Sequence, residues 1–191
     1  SDSLDLALDN ALNKLQRAVK ERNDDLHLLN FVTVDDKNKP NARNVVLRDF
    51  SIENLTIRFH TDKRSSKIKD IKRNKAICLI GYDKKAKLQI KIDADAYAIE
   101  EEEILMDIWK KMYPMSRECY RVSKSPGEKI ESLNEIRFDE DDENNLIGFD
   151  NFTAIKCDIN SIEILYLSSI THIRAKYYNN NGHLNGEWII P

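Results

Sequence analysis

Hydroxyls and cations crowd one stretch of the chain. In FHTDKRSSKIKDI, residues 59–71, Thr61, Ser65 and Ser66 stand among Lys63, Arg64, Lys67 and Lys69. An apolar run leads in and a pattern of helical spacing leads out, so a strand hands over to a helix here. If Ser65 caps that helix, Lys67 and Lys69 lie in its first turn, beside the positive end of the helix dipole. Each such placement costs about 0.3–1 kcal/mol unless an anion offsets it. Free amides, paired hydroxyls and cations at a helix start suit a phosphate group. A solvated, lysine-rich surface turn has the same composition, and the segment alone leaves both readings open.

Two other clusters could share the task. In ARNVVLR, alternation puts Arg43, Val45 and Leu47 on one face and Asn44, Val46 and Arg48 on the other. An arginine at each end of a short apolar strand fits a strand bordering a charged ligand, and equally a pair of surface arginines. In THIRAKYY, His172, Arg174, Lys176 and Tyr178 share a face opposite Ile173, Ala175 and Tyr177. Taken alone, that polar face reads as solvent-facing.

Other chemistries lack their motifs. The five glycines form neither G-x-G-x-x-G nor a Walker loop, and there is no G-x-S-x-G. His27, His60, His172 and His183 have no ligand-like companions at helical or hairpin spacing, so no metal site is expected. Cys78, Cys119 and Cys157 are odd in number and fit no metal spacing, which suits a reducing cytoplasm better than a disulfide scaffold. A net charge of −3 argues against a dedicated nucleic-acid partner. No apolar run approaches the roughly 20 residues that span a bilayer, and the N-terminus is too polar for a signal peptide. The expectation is a cytoplasmic protein with neither a membrane nor a nucleic acid as partner.

The elements that position these residues can be read from periodicity. At 191 residues and 41% hydrophobic content, one domain covering residues 1–191 is expected. Leu4, Leu8, Ala11, Leu12, Leu15, Ala18 and Val19 recur at helical spacing, predicting an amphipathic helix over about 3–22. HLLNFVTV, ARNVVLRDF and LTIRFHT read as three strands on short turns, an antiparallel meander. A helix over about 65–74 follows, then a hairpin of KAICLIGYD and KLQIKIDADAYAI. The acidic run 100–103 opens a helix carrying Ile104, Leu105, Ile108, Trp109 and Met112, because carboxylates suit a helix N-terminus. Residues 113–150 read as a helix followed by a mobile solvated loop, within a helical and loop insert over about 100–150. FTAIKCDINSIEILYL, THIRAKYY and GEWIIP close the chain as strands. The fold class is mainly β with flanking helices, an α+β arrangement around a small closed or partly closed barrel.

In sequence order these pieces resemble the pyridoxamine 5′-phosphate oxidase-like family of FMN-binding split barrels. The strand pattern Arg-x-Val-Leu/Val-Leu-Lys/Arg matches RNVVLR, and aromatic-Thr-Asp/Asn with Ser-x-Lys matches HTDKRSSK. Gln89 in the next hairpin, Tyr166, THIRAKYY and the Trp of EWIIP continue the correspondence over about 26–97 and 152–191. The resemblance implies a six-stranded antiparallel Greek-key split β-barrel and a homodimer with FMN at the subunit interface. It implies that Arg43, Thr61, Ser65, Ser66 and Lys67 hold the FMN phosphate, with Arg64 as a helper. Val45, Val46 and His60 would line the isoalloxazine ring, Gln89 would bond its edge, and Tyr166 and Lys176 would complete the cofactor site. Arg48, His172 and Arg174 would face a small-molecule substrate.

The implied activity is that of an FMN-dependent oxidoreductase, with a genuine pyridoxine/pyridoxamine 5′-phosphate oxidase or a non-catalytic flavin-binding module as alternatives. Three departures leave the substrate unassigned. Ser66 stands where the oxidases place Arg, His172 and Arg174 reverse their late Arg-x-His pair, and their Arg-x-x-x-Ser clamp finds no clear counterpart in YPMSRECYR.

Overall fold

The computed structural model describes residues 2–167 and 169–191. Strands β1 (Leu28–Val34), β2 (Pro40–Val46), β3 (Asp49–Ser51) and β4 (Thr56–Asp62) come first, after helix α1 (Asp2–Ala18). Helix α2 (Ser66–Arg73) crosses to β5 (Ala76–Asp83) and β6 (Leu88–Ala98). Helices α3 (Glu102–Lys111) and α4 (Pro114–Arg117) precede β7 (Phe152–Leu167), β8 (His172–Asn180) and β9 (His183–Ile189).

All strand pairings are antiparallel, in the order β2-β1-β5-β6-β7-β4-β3, with β8 added to β7 and β9 to β8. The segment expected as one strand, ARNVVLRDF, bends at residues 47–48 and changes partner. Leu47 N still donates to His27 O at 2.8 Å on the β1 side, whereas Arg48 N donates to Arg58 O at 3.0 Å on the β4 side. Counted as one bent strand, β2–β3 joins the two edges and completes a six-stranded ring.

The ring splits along β7. Residues 152–158 pair with β4, and residues 161–167 pair with β8. The change of partner falls at a register shift, where Asp93 faces Ser161 but Ala94 faces Ile159. The extra residue, Asn160, bends the strand, as bulges do.

Period-two alternation sorts the residues of each strand to opposite faces. Leu29, Phe31, Ile57, Phe59, Leu79, Ile90, Ile92 and Ile162 fill the barrel, and Leu8, Ala11, Leu12 and Leu15 of α1 pack against the same core. The N-terminal helix stops at Ala18, short of the expected 22. His27 Nδ1 meets Ala18 O at 2.6 Å, and the amides of Lys20 and Glu21 bond Arg17 O, so tertiary contacts end the helix before its apolar pattern does.

Residues 113–150 hold more order than a helix and a loop. Glu118–Arg121, Leu133–Glu135 and Phe149–Asn151 form 3-10 turns, and Val122 bridges Phe138. Tyr120 and Phe149 pack with Leu105, Ile108 and Trp109 on Phe152 and Ala154, building a second core outside the barrel. Gly148, at φ 94°, makes the turn that inserts Phe149; a Cβ there would meet the Tyr120 backbone at 2.9 Å. The acidic residues 139–143 remain exposed, as their charge demands.

Candidate functional site

Ser65 does cap α2, in extended conformation, but its hydroxyl makes no cap hydrogen bond. The hydroxyl lies instead 3.4 Å from Thr61 Oγ1, and Lys67 Nζ donates to both, at 2.9 Å to Thr61 and 3.3 Å to Ser65. Thr61 and Ser65 are buried and Lys67 is half-buried. No carboxylate among the described residues lies within ion-pair distance of Lys67. Burial first, and the Arg43 guanidinium second, push the Lys67 ammonium below its ordinary pKa, with Asp62 opposing.

Arg43 reaches the same corner from β2. Its NH1 donates to Thr33 Oγ1 at 2.7 Å and to the Asn41 carbonyl at 3.0 Å, while NH2 sits 3.6 Å from Asp70 Oδ2. Thr33 donates in turn to Asp70 at 2.7 Å. Asp70, on α2, thus fixes a guanidinium on β2, one helical turn from Lys67. Neither Thr33 nor Asp70 was singled out from sequence. Their partners are 37 residues apart in the chain, and only the packing of α2 on β1 brings them together.

Arg64 is placed differently from expectation. Its guanidinium grips Asp62 through Nε at 3.0 Å and NH2 at 2.8 Å, and NH2 and NH1 also donate to the carbonyls of Val122 and Ser123. Asp62 raises its pKa. A fork so occupied ties the 113–150 segment to the start of α2 and leaves little for an anion. Ser66 and Lys69 are exposed on the outside of α2.

The other expected residues fall on separate faces. Val45 is buried in the barrel core, while Val46 is half-buried on the outer face. Gln89 pairs across with Leu165, which pairs with Arg174, and Lys91 lines up with Glu163 and Lys176. Gln89, Arg174, Lys176 and His172 therefore share the outer face of β6–β7–β8. Arg174 pairs with buried Glu163, Nε to Oε1 at 2.9 Å, and the Lys176 ammonium lies 5.1 Å from the Tyr178 ring centroid. Tyr166 alternates to the opposite, inner face, where its hydroxyl accepts from Asn10 of α1. Tyr166 and Gln89, both expected at the cofactor, thus emerge on opposite faces of the sheet.

His60 also departs from its expected surroundings. Its imidazole lies on the face of β4 away from Thr61, edge-on to Phe152 at 5.2 Å. There it lines a cavity of about 240 Å³ together with Arg48, Arg58, Asp107, Ile108, Lys111, Met112, Tyr113 and Ser116. The segment YPMSRECYR, given no counterpart from sequence, supplies Tyr113 and Ser116 to this cavity. Arg58 was missed, although the alternation of LTIRFHT already puts it on the His60 face. Neither Arg48 nor Arg58 has a carboxylate within ion-pair distance among the described residues. Burial, then Arg58 and Arg48, hold His60 neutral with a pKa lowered to about 3.

Comparison with known proteins agrees with this architecture. Residues 9–100 match the family model described as "Pyridoxamine 5'-phosphate oxidase, FMN-binding domain". None of the curated proteins compared matches the chain. A pyridoxamine 5′-phosphate oxidase-related, FMN-binding protein from Nostoc punctiforme superimposes with a TM-score of 0.76 at 21% identity, over 97% of this chain and 96% of that one. PhzG from Burkholderia lata, solved with tetrahydrophenazine-1-carboxylic acid, gives 0.74 at 16% identity, over 97% and 91%. A protein described as a pyridoxamine 5′-phosphate oxidase from Listeria innocua gives 0.52 at 20% identity, over 82% and 95%. The matched segment, which carries Arg43 and Lys67, resembles the FMN-binding domain of the pyridoxamine 5′-phosphate oxidases, and the split ring of strands is the split-barrel fold of these solved structures.

Proposed function

We propose that the protein binds FMN and works as an FMN-dependent oxidoreductase. One observation carries the reading: Lys67 is a half-buried ammonium whose hydrogen bonds go only to hydroxyls, beside a second cation. Burying positive charge without a counter-charge is costly, and a dianionic phosphate removes that cost. Lys67, Arg43, Thr61 and Ser65 would hold the phosphate, with the first amides of α2 facing it. When bound, FMN would supply hydride chemistry, for which the protein provides orientation and electrostatics.

The residues expected at the ring, Val46, Gln89 and Lys176, lie on the outer sheet face, away from the barrel interior. A homodimer, with one protomer's outer face meeting the other's phosphate corner, brings the two sets together. Arg48 and Arg58 would receive an anionic substrate in the cavity under α3. The likeness to a fold that holds an aromatic carboxylic acid supports an acid of that class, alongside the phosphate ester of a genuine pyridoxamine phosphate oxidase.

Purified protein should be yellow, with flavin absorbance and FMN released on denaturation. Colourless protein that takes up no added FMN would overturn the assignment. Turnover of pyridoxamine phosphate to pyridoxal phosphate with oxygen consumed would select the oxidase, and flavin that no donor reduces would select a binding module.

A further inference from the structure

Among the polar side chains around the Arg48–Arg58 cavity, His60 stands apart. Both of its ring nitrogens are buried without a hydrogen-bond partner among the described residues, and so is Arg58 Nε. The remaining polar groups are committed or peripheral. Lys111 donates to Asp107 Oδ2 at 2.8 Å in an exposed pair, and Tyr113 is 76% exposed at the rim. Guanidinium and ammonium groups only donate hydrogen bonds, whereas a neutral imidazole offers one donor and one lone pair. His60 is kept neutral by its burial and by the guanidiniums of Arg58, two residues away on β4, and Arg48, across the β3–β4 corner. The Asp107–Lys111 pair on α3 and the hydroxyls of Tyr113 and Ser116 face the same space, and Phe152 of β7 backs the ring. The buried, unpartnered polar atoms of the cavity are therefore a guanidinium donor of Arg58 and the His60 ring, whose lone pair is an unused acceptor.

We propose that His60 is the specificity-determining residue of this cavity, accepting a hydrogen bond from an N–H or O–H that the ligand carries beside its anionic group. The ligand class is an amino- or hydroxy-substituted acid, whose anion meets Arg48 and Arg58 while its neutral donor meets the imidazole. This rests on the reading of the cavity as the substrate pocket of the flavin site. An acid without the donor leaves the imidazole unpaired, and an unmet buried polar group is what lets a site reject an isostere. A volume of about 240 Å³ suits a single substituted ring.

The test is calorimetric binding of benzoate, 3-hydroxybenzoate and 3-aminobenzoate to the protein equilibrated with excess FMN, with FMN uptake followed separately by flavin fluorescence. The substituted acids should bind about tenfold more tightly than benzoate, the equivalent of one hydrogen bond. His60→Phe should bring the ratio to within about twofold, and His60→Gln, whose amide offers both a donor and an acceptor, should restore part of it. A ratio that persists in His60→Phe, equal binding of the three acids by the wild type, or binding of none of them overturns the proposal. If FMN is not taken up yet the acids are still discriminated through His60, the flavin reading falls and this one stands. If FMN binds and discrimination is absent, only this one falls.

Discussion

At the scale of the residue, the chemistry turns on Lys67. Its ammonium has given up water for two hydroxyls, and its pKa is lowered chiefly by burial. A base whose folded pKa is depressed binds its proton less readily in the folded chain than in the unfolded one. The charge therefore costs stability below the folded pKa, and that cost is relieved as pH rises from there toward 10.5. Lys67→Met should raise the melting temperature of the FMN-free protein at neutral pH, and it should flatten the alkaline rise in stability, both read by thermal scans across pH. Lys67→Ala should weaken FMN by about 1.5–3 kcal/mol, the loss of a charged hydrogen bond, while Lys69→Ala on the exposed side should change it little. Equal effects at 67 and 69 in a flavin-quenching titration would move the phosphate elsewhere. Arg43→Ala should cost similar affinity and also stability, because it strips Asp70 of its cation and leaves only the Thr33 hydroxyl.

At the scale of the element, α3 and the segment after it decide the shape of the second cavity. Trp109 is 1% exposed, within 6 Å of Phe149, Phe152 and Tyr120 between ring centroids, and its Nε1 donates to Asn145 O at 2.8 Å. Removing the indole opens a void at the centre of that cluster, so Trp109→Ala should cost about 3–5 kcal/mol by urea unfolding. It should also reduce binding of small aromatic acids, since Lys111 and Tyr113 follow directly on the same helix and its exit. Unchanged acid binding in a folded Trp109→Ala protein would detach the cavity from this core.

At the scale of the whole molecule, the sheet has two unlike faces. The inner one is filled by α1 and the core, and the outer one leaves Leu28, Ile80, Tyr82 and Tyr178 partly exposed around Gln89, Lys91 and Lys176. Ile80 sits between Asn30 and Lys91 on the central strands of that face. In the dimeric reading, Ile80→Glu should leave the far-ultraviolet spectrum of the chain intact. It should shift sedimentation toward the monomer and lower flavin retention in parallel. Flavin retained at full occupancy by a monomeric variant would show that one chain builds the site alone. Among the described residues no helix is long and apolar enough to cross a membrane.

What the sequence determined by itself was everything governed by short-range periodicity. Alternating and helical patterns located β1, β4, β5, β6, β7, β8, α2 and α3, and the order of RNVVLR, HTDKRSSK and Gln89 pointed to the family. It also placed cations and hydroxyls at the start of α2, because residues six apart across a strand–helix turn must be neighbours there. Tertiary structure decided which of those groups remain free. Asp62 occupies Arg64 and Asp70 anchors Arg43, while Lys67 is left with hydroxyls alone. It also closed a cavity over His60, on the face of β4 away from Thr61, with Tyr113 and Ser116. Local spacing fixes the face on which a side chain emerges. Which charges meet across that face depends on strand register and helix docking between segments tens of residues apart, and that is a property of the packed chain.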